Sequence, residues 1–226
     1  MCGRFTLATP AEIVAEFFEL TEAPALPPRY NIAPTQPVVA IVIARASARR
    51  ELRNLRWGLV PSWAKDAKAG GSMINARAET LTEKPAFREV FRRQRCLVIA
   101  DGFYEWMKLE RRKQPYYIRM ANDNPFAFAG LWDHWEGADA APIDSCTVVT
   151  GEPNELVRDL HDRMPAILDR SHYDRWLDPR NEDVEELQAM LRPYPAAKMK
   201  AFPVSSLVNS PANDEPGCIA RMGLFD

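Results

Sequence analysis

The sequence predicts an α+β fold: a mainly antiparallel, curled (barrel-like) sheet with helices packed around it. Strand-like runs recur along the chain without regular alternation with helical patterns, which disfavours a doubly wound parallel sheet. Nineteen prolines punctuate the 226 residues, so many short elements joined by shaped loops are expected. With no repeat and no low-complexity segment, one domain over residues 1–226 fits this length.

The first element is a helix. Thr9-Pro10-Ala11-Glu12 offers an N-cap, proline at the first helical position and glutamate in the first turn. Ile13, Val14, Phe17 and Phe18 follow at helical spacing. The proline-rich stretch 23–37 reads as a long loop, Val38–Ala44 as a buried strand, and Leu52–Val60 as another. Ala86–Gln94 suggests a short helix with Phe87, Val90 and Phe91 inward. Strand-like runs continue at Cys96–Ala100, Tyr116–Met120, Phe126–Trp132 and Ser145–Thr150. Helical patterns occupy Asn154–His161, Ser171–Leu177 and Glu182–Leu191.

Hydrophobic residues at 46% and charged residues at 27% place the chain with globular rather than disordered sequences. No apolar run approaches the roughly 18 residues of a membrane span, and the N-terminus lacks an apolar signal region. A cytoplasmic protein, nucleoid-associated when bound to DNA, is the expectation. Cysteines 2, 96, 146 and 218 form no CxxC pair and accompany no histidine at zinc-finger spacing. Neither a structural metal nor a disulfide framework is therefore expected, and Cys96 and Cys146 read as core thiols. The formal net charge of −2 hides an asymmetry. Residues 1–113 carry 19 Lys and Arg against 12 Asp and Glu, while residues 114–226 carry 10 against 19. The basic half could face phosphates, or the charges could simply solvate separate faces.

Cys2 is the most informative position. Aminopeptidases remove an initiator methionine when the next side chain is small, and the product here carries an α-amine and a thiol on adjacent carbons. Such a 1,2-aminothiol condenses with an aldehyde and then closes a five-membered thiazolidine. An α-amine with a reference pKa of about 7.7–8.0 keeps a nucleophilic fraction at cellular pH. The plainer reading is a cysteine near a frayed terminus. Glu105 lies within Gly102-Phe103-Tyr104-Glu105-Trp106 at the end of a buried strand, where desolvation could raise its pKa into the general-acid range. A solvated strand-end glutamate is the alternative. His161, in His161-Asp162-Arg163-Met164-Pro165, closes a predicted helix and could serve as a cap or a catalyst. Asn75 and Arg77 follow the Gly70-Gly71 pair in a predicted loop, joining an amide that could orient a substrate to a guanidinium that could grip phosphate. Trp57 and Trp63, beside a basic stretch, suit base stacking or the core.

Taken in order, Met1-Cys2-Gly3-Arg4-Phe5, Arg29–Thr35, Trp57–Trp63, Asn75–Glu79, Cys96–Ile99, Gly102–Trp106, Phe128–Trp132 and His161–Pro165 form eight motifs. Together they resemble the SOS response-associated peptidase family, whose members shield abasic sites through DNA–protein crosslinks. The resemblance runs from Cys2 to about Val208, with no departure at the catalytic positions. It implies that Cys2 forms a thiazolidine with the ring-opened aldehyde of an abasic site in single-stranded DNA. It implies an acid/base role for Glu105, a sugar-positioning role for Asn75 and proton transfer by His161. It further implies phosphate contacts from Arg4, Arg77 and Arg163. Read from the residues themselves, Trp57, Trp63 and Trp106 are candidate DNA contacts. No metal or cofactor is implied, and a monomer that binds no membrane is expected. The family name also suggests an N-terminal-nucleophile cysteine peptidase acting mainly on its own Met1–Cys2 bond. A non-covalent single-strand binder is the third reading.

Overall fold

The computed structural model describes residues 2–22, 25–44, 49–110, 112–137 and 140–223. Met1, and with it the expected Met1–Cys2 processing step, lies outside the described residues, as do positions 23–24 of the expected loop. The strands are β1 Phe5–Leu7, β2 Arg29–Ile32, β3 Pro37–Ile43, β4 Arg50–Trp57, β5 Asn75–Arg77 and β6 Arg95–Ala100. They continue with β7 Gly102–Lys108, β8 Lys113–Met120, β9 Phe126–Gly137, β10 Ala140–Gly151, β11 Met164–Pro165 and β12 Met199–Pro203. The α-helices are α1 Ala11–Phe18, α2 Arg88–Arg93, α3 Glu155–Arg158, α4 Tyr173–Leu177 and α5 Val184–Ala189.

Five strands close into a ring in the order β10-β4-β3-β6-β9, because β9 pairs back onto β10. Closure removes the free edges that a strand as apolar as Pro37–Ile43 would otherwise expose. Among the described residues, the joints of β10 with β4 and with β5 are parallel and the other strand pairs are antiparallel. Against this barrel lies a second sheet, ordered β12-β8-β7-β1-β2. The observed architecture is thus the curled, mainly antiparallel sheet with packed helices that the sequence predicts.

Alternation along β7 gives the second sheet two different faces. Phe103 and its neighbour Phe5 on β1 face the barrel, where both rings meet Phe128 edge-on at 6.0 and 5.6 Å. Phe5 also meets the Trp57 ring at 5.0 Å. These contacts seat the short β1 strand, at about 0.5–1.5 kcal/mol per aromatic pair beyond area burial. The opposite face carries Tyr104 and Tyr117, packed with Val204, Val208 and Cys218 from the C-terminal segment. Gly102 is required where these layers meet, since a Cβ there would lie 2.2 Å from the Tyr117 ring.

Several local expectations change. Thr9 does not cap α1: its backbone N–H and hydroxyl both donate to Asp101, at 2.7 and 2.9 Å, and the helix has no side-chain cap. The buried Asp101 carboxylate also accepts from Ala8 N–H at 2.6 Å and from the Thr6 hydroxyl, so it ties the exit of β1 to the β6–β7 junction. The expected loop over 23–37 contains β2, and the loop expected around Asn75 forms β5. The strand expected to reach Val60 ends at Trp57, where Gly58 turns at φ +126° and its backbone nearly touches Gly70. Cys96 and Cys146 are buried free thiols, as expected of core residues.

Candidate active site

The β1–β7 ladder brings the start of the chain against Glu105. Phe5 pairs with Phe103, Thr6 with Gly102, and Tyr104 N–H donates to the Arg4 carbonyl at 3.0 Å. Antiparallel progression beyond that bond carries Gly3 and Cys2 towards Glu105. β5 approaches from the barrel side, parallel to β10, with Asn75 opposite Val148. From β5, Asn75 donates its side-chain amide to the Cys2 carbonyl at 2.9 Å. β10 then leads through α3 to the His161-Asp162-Arg163 turn and returns as β11, antiparallel to its own end.

Electrostatics report the same convergence. Cys2 is fully buried, and desolvation pushes its thiol well above the usual range; the nearby Glu105 carboxylate raises it further. Glu105 is 2% exposed, and burial raises its pKa from 4.5 to about 7, with Asp162 adding to the rise. The sequence expectation of a desolvated acid thus has its physical cause in place. His161 is held below the usual imidazole range, chiefly by burial. Its Nδ1 lies 2.7 Å from an Asp162 carboxylate oxygen and 3.0 Å from the Arg163 backbone N–H. A neutral thiol, a carboxyl that titrates near neutrality and an uncharged imidazole suit stepwise proton transfer during addition to a carbonyl.

The arginines separate into different roles. Arg77, at the end of β5, is exposed two residues from Asn75. Arg163 is anchored by Nη2 to the Thr150 carbonyl at 2.6 Å and to Glu79 at 2.9 Å. Arg4 is engaged within the fold. Its Nη1 donates to the Asn31 side chain at 2.9 Å and the Val208 carbonyl at 2.8 Å, and Nη2 to the Asn209 carbonyl at 3.4 Å. That guanidinium is tied to Asn31 and the C-terminal segment by three bonds, a role in the fold beside the one its motif implied.

The tryptophans separate too. Trp57 is fully buried and donates its indole N–H to the Ile74 carbonyl at 2.8 Å, so it is a core residue and not a stacking platform. Trp63 is 64% exposed on a loop held rigid at both sides. Ser62 N–H donates to Asp133 at 2.7 Å, and the Trp135 indole donates to the Ala64 carbonyl at 2.7 Å. Trp106 is half-buried; alternation turns it to the face of β7 opposite Glu105, and it donates to Asn209 at 2.7 Å. Sequence reasoning did not single out Asp101, Asn31 or Asn209. Asn31 carried a usable signal, being a polar residue inside the Arg29–Thr35 motif.

A single-domain α+β protein that sets a cysteine at position 2 beside a buried, raised-pKa glutamate is the class these features define. The chain belongs to the SOS response associated peptidase (SRAP) family, whose model matches residues 1–211. It is 47% identical over 225 residues to the abasic site processing protein YoqW of Bacillus subtilis (strain 168), covering 97% of this chain and 99% of that protein. It is 36% identical over 199 residues to the abasic site processing protein HMCES of Xenopus tropicalis, covering 78% of this chain and 59% of that protein. The fold superimposes on the crystal structure of a Bacteroides thetaiotaomicron protein with a TM-score of 0.86 at 27% identity, covering 98% of this chain and all of that one.

Proposed function

We propose that this protein processes abasic sites in single-stranded DNA by bonding covalently to them through Cys2. One observation carries the reading: Asn75 holds the Cys2 main chain while Glu105, buried and with a pKa of about 7, lies near enough for its charge to raise the pKa of the Cys2 thiol. The names of the relatives support the substrate.

The chemistry balances without an oxidant or reductant. Removal of Met1 frees the Cys2 amine. The ring-opened abasic sugar presents an aldehyde, and the neutral amine adds to its carbon to form a carbinolamine. Protonated Glu105 then supplies the proton that lets the hydroxyl leave as water, and its carboxylate takes the proton from nitrogen to give an imine. The Cys2 sulfur adds to the imine carbon, its proton passes to nitrogen, and the thiazolidine closes. His161, held below the usual imidazole range, relays protons at the sugar. Arg77 and Arg163 supply positive charge for the flanking phosphates, and Trp63 offers an exposed ring for an unstacked base.

The test uses the full-length protein and an oligonucleotide bearing one abasic site. After heating and denaturing electrophoresis, an adduct should survive whose mass equals protein without Met1 plus oligonucleotide minus one water. Cys2→Ala should yield none while keeping its non-covalent affinity for single strands. Cys2→Ser keeps the amine and should give an imine that borohydride traps. A heat-stable adduct from Cys2→Ala at the wild-type level would overturn the proposal.

A further inference from the structure

Among the described residues, the β1–β7 pairing runs from Thr6 and Gly102 to Arg4 and Tyr104. Beyond the bond from Tyr104 N–H to the Arg4 carbonyl, groups from elsewhere in the fold also hold the segment carrying Cys2 and the strand carrying Glu105. Asn75 supplies one from the barrel. The others come from the C-terminal segment on the far face of the sheet. Arg4 is gripped by the carbonyls of Val208 and Asn209 at 2.8 and 3.4 Å. Trp106, the residue after Glu105, is gripped by the Asn209 side-chain oxygen at 2.7 Å. Asn209 therefore bonds through its backbone to the segment bearing the nucleophile, and through its side chain to the strand bearing the acid.

The segment is itself pinned. Asn31, fully buried, donates its side-chain amide to the carbonyls of Val208, Ser210 and Asn213 at 3.1, 2.9 and 2.7 Å. Asp214 accepts from the backbone N–H groups of Tyr30 and Asn31, at 2.5 and 3.0 Å, and from the Arg29 guanidinium. A side chain fixed to so rigid a base can transmit position, because its own placement does not relax when a neighbour pulls on it.

We infer that Asn209 is a positioning residue of the active site: it sets the spacing between the chain segment bearing Cys2 and the strand bearing Glu105, without touching the reacting atoms. The inference rests on the thiazolidine reading of those two residues. Displacement of reacting groups by about 1 Å costs on the order of 10²-fold in rate, so loss of one such bond should slow chemistry rather than binding.

Single-turnover crosslinking at saturating abasic oligonucleotide, with affinity measured separately on an intact strand, provides the test. Asn209→Ala should lower the saturating rate by roughly 10-fold and leave the dissociation constant within about 2-fold. Asn209→Asp keeps an oxygen acceptor for the Trp106 indole and should restore the rate to near wild type. Trp106→Phe removes the matching donor while keeping a ring, and should reproduce the Asn209→Ala loss even if that variant folds poorly. A purely structural role would lower the melting temperature while the saturating rate of the folded protein stayed at wild type; that result overturns the inference. So does an Asn209→Asp variant as slow as Asn209→Ala. Absence of any Cys2-dependent adduct from the wild-type protein would instead overturn the proposed function, so the two failures are distinct.

Discussion

Asn75 donates its side-chain amide to the Cys2 carbonyl across 2.9 Å, while its own Oδ1 is buried without a hydrogen-bond partner among the described residues. A buried acceptor left unpaired costs about 1–3 kcal/mol. A substrate hydroxyl or the Cys2 amine is a suitable donor for that oxygen, which would couple Asn75 to the reaction as well as to the main chain. Asn75→Ala should therefore reduce the single-turnover crosslinking rate by roughly 10²-fold. A wild-type rate from that variant would confine Asn75 to holding the backbone.

The rate should follow a bell-shaped pH profile. Glu105 acts while protonated, so activity falls as pH rises through its pKa of about 7. The amine acts while neutral, so activity falls as pH drops below its reference pKa of about 7.7–8.0. The maximum lies between these limits. Glu105→Gln cannot transfer the proton and should be slower by roughly 10²–10⁴-fold, with the high-pH limb gone. An unchanged limb in single-turnover measurements from pH 5.5 to 9.5 would remove Glu105 from proton transfer.

The same burial makes stability depend on pH. Glu105 binds its proton more tightly folded, at about 7, than unfolded, at 4.5. The folded state therefore holds more protons between those values, and its stability falls as pH rises from about 4.5 through 7. A shift of this size corresponds to about 3 kcal/mol. Glu105→Gln carries no charge to bury, so it should unfold at a higher temperature than wild type at pH 8. The gap should shrink towards pH 5. An equal gap at both values, read by thermal denaturation, would contradict a desolvated carboxyl.

Positive charge at the site rim should be separable from charge spent inside the fold. Arg77→Ala should weaken single-strand binding across all sequences and flatten the log–log salt dependence by about 0.7. Arg4→Ala should leave that slope unchanged and lower the melting temperature, because its guanidinium bonds to Asn31, Val208 and Asn209. Trp63→Ala should weaken binding with little change in slope, as loss of a stacking ring does. Salt titrations followed by fluorescence anisotropy report all three. If Arg77→Ala changes neither affinity nor slope, its phosphate role fails.

Much of this protein was legible in its residues. Apolar runs located the barrel strands at Val38, Cys96, Phe126 and Ser145 because burial on both faces leaves a continuous hydrophobic signature. The aromatics flanking Glu105 made a desolvated carboxyl one of two readings, and the ordered motifs brought Cys2, Asn75 and His161 into one reading. Tertiary structure alone decided what those patterns leave open. Trp57 and Trp63 share one motif, yet one is fully buried and the other 64% exposed. Thr9 has the residue type of a helix cap, but Asp101, 92 positions on, takes its hydroxyl. Arg4 has the residue type of a phosphate ligand, but the Val208 carbonyl, 204 positions away, accepts a hydrogen bond from its guanidinium. The physical reason is common to all three. Periodicity along a chain reports how each residue meets its own strand or helix, whereas a polar group's partner is chosen by whichever distant segment closure of the fold sets beside it.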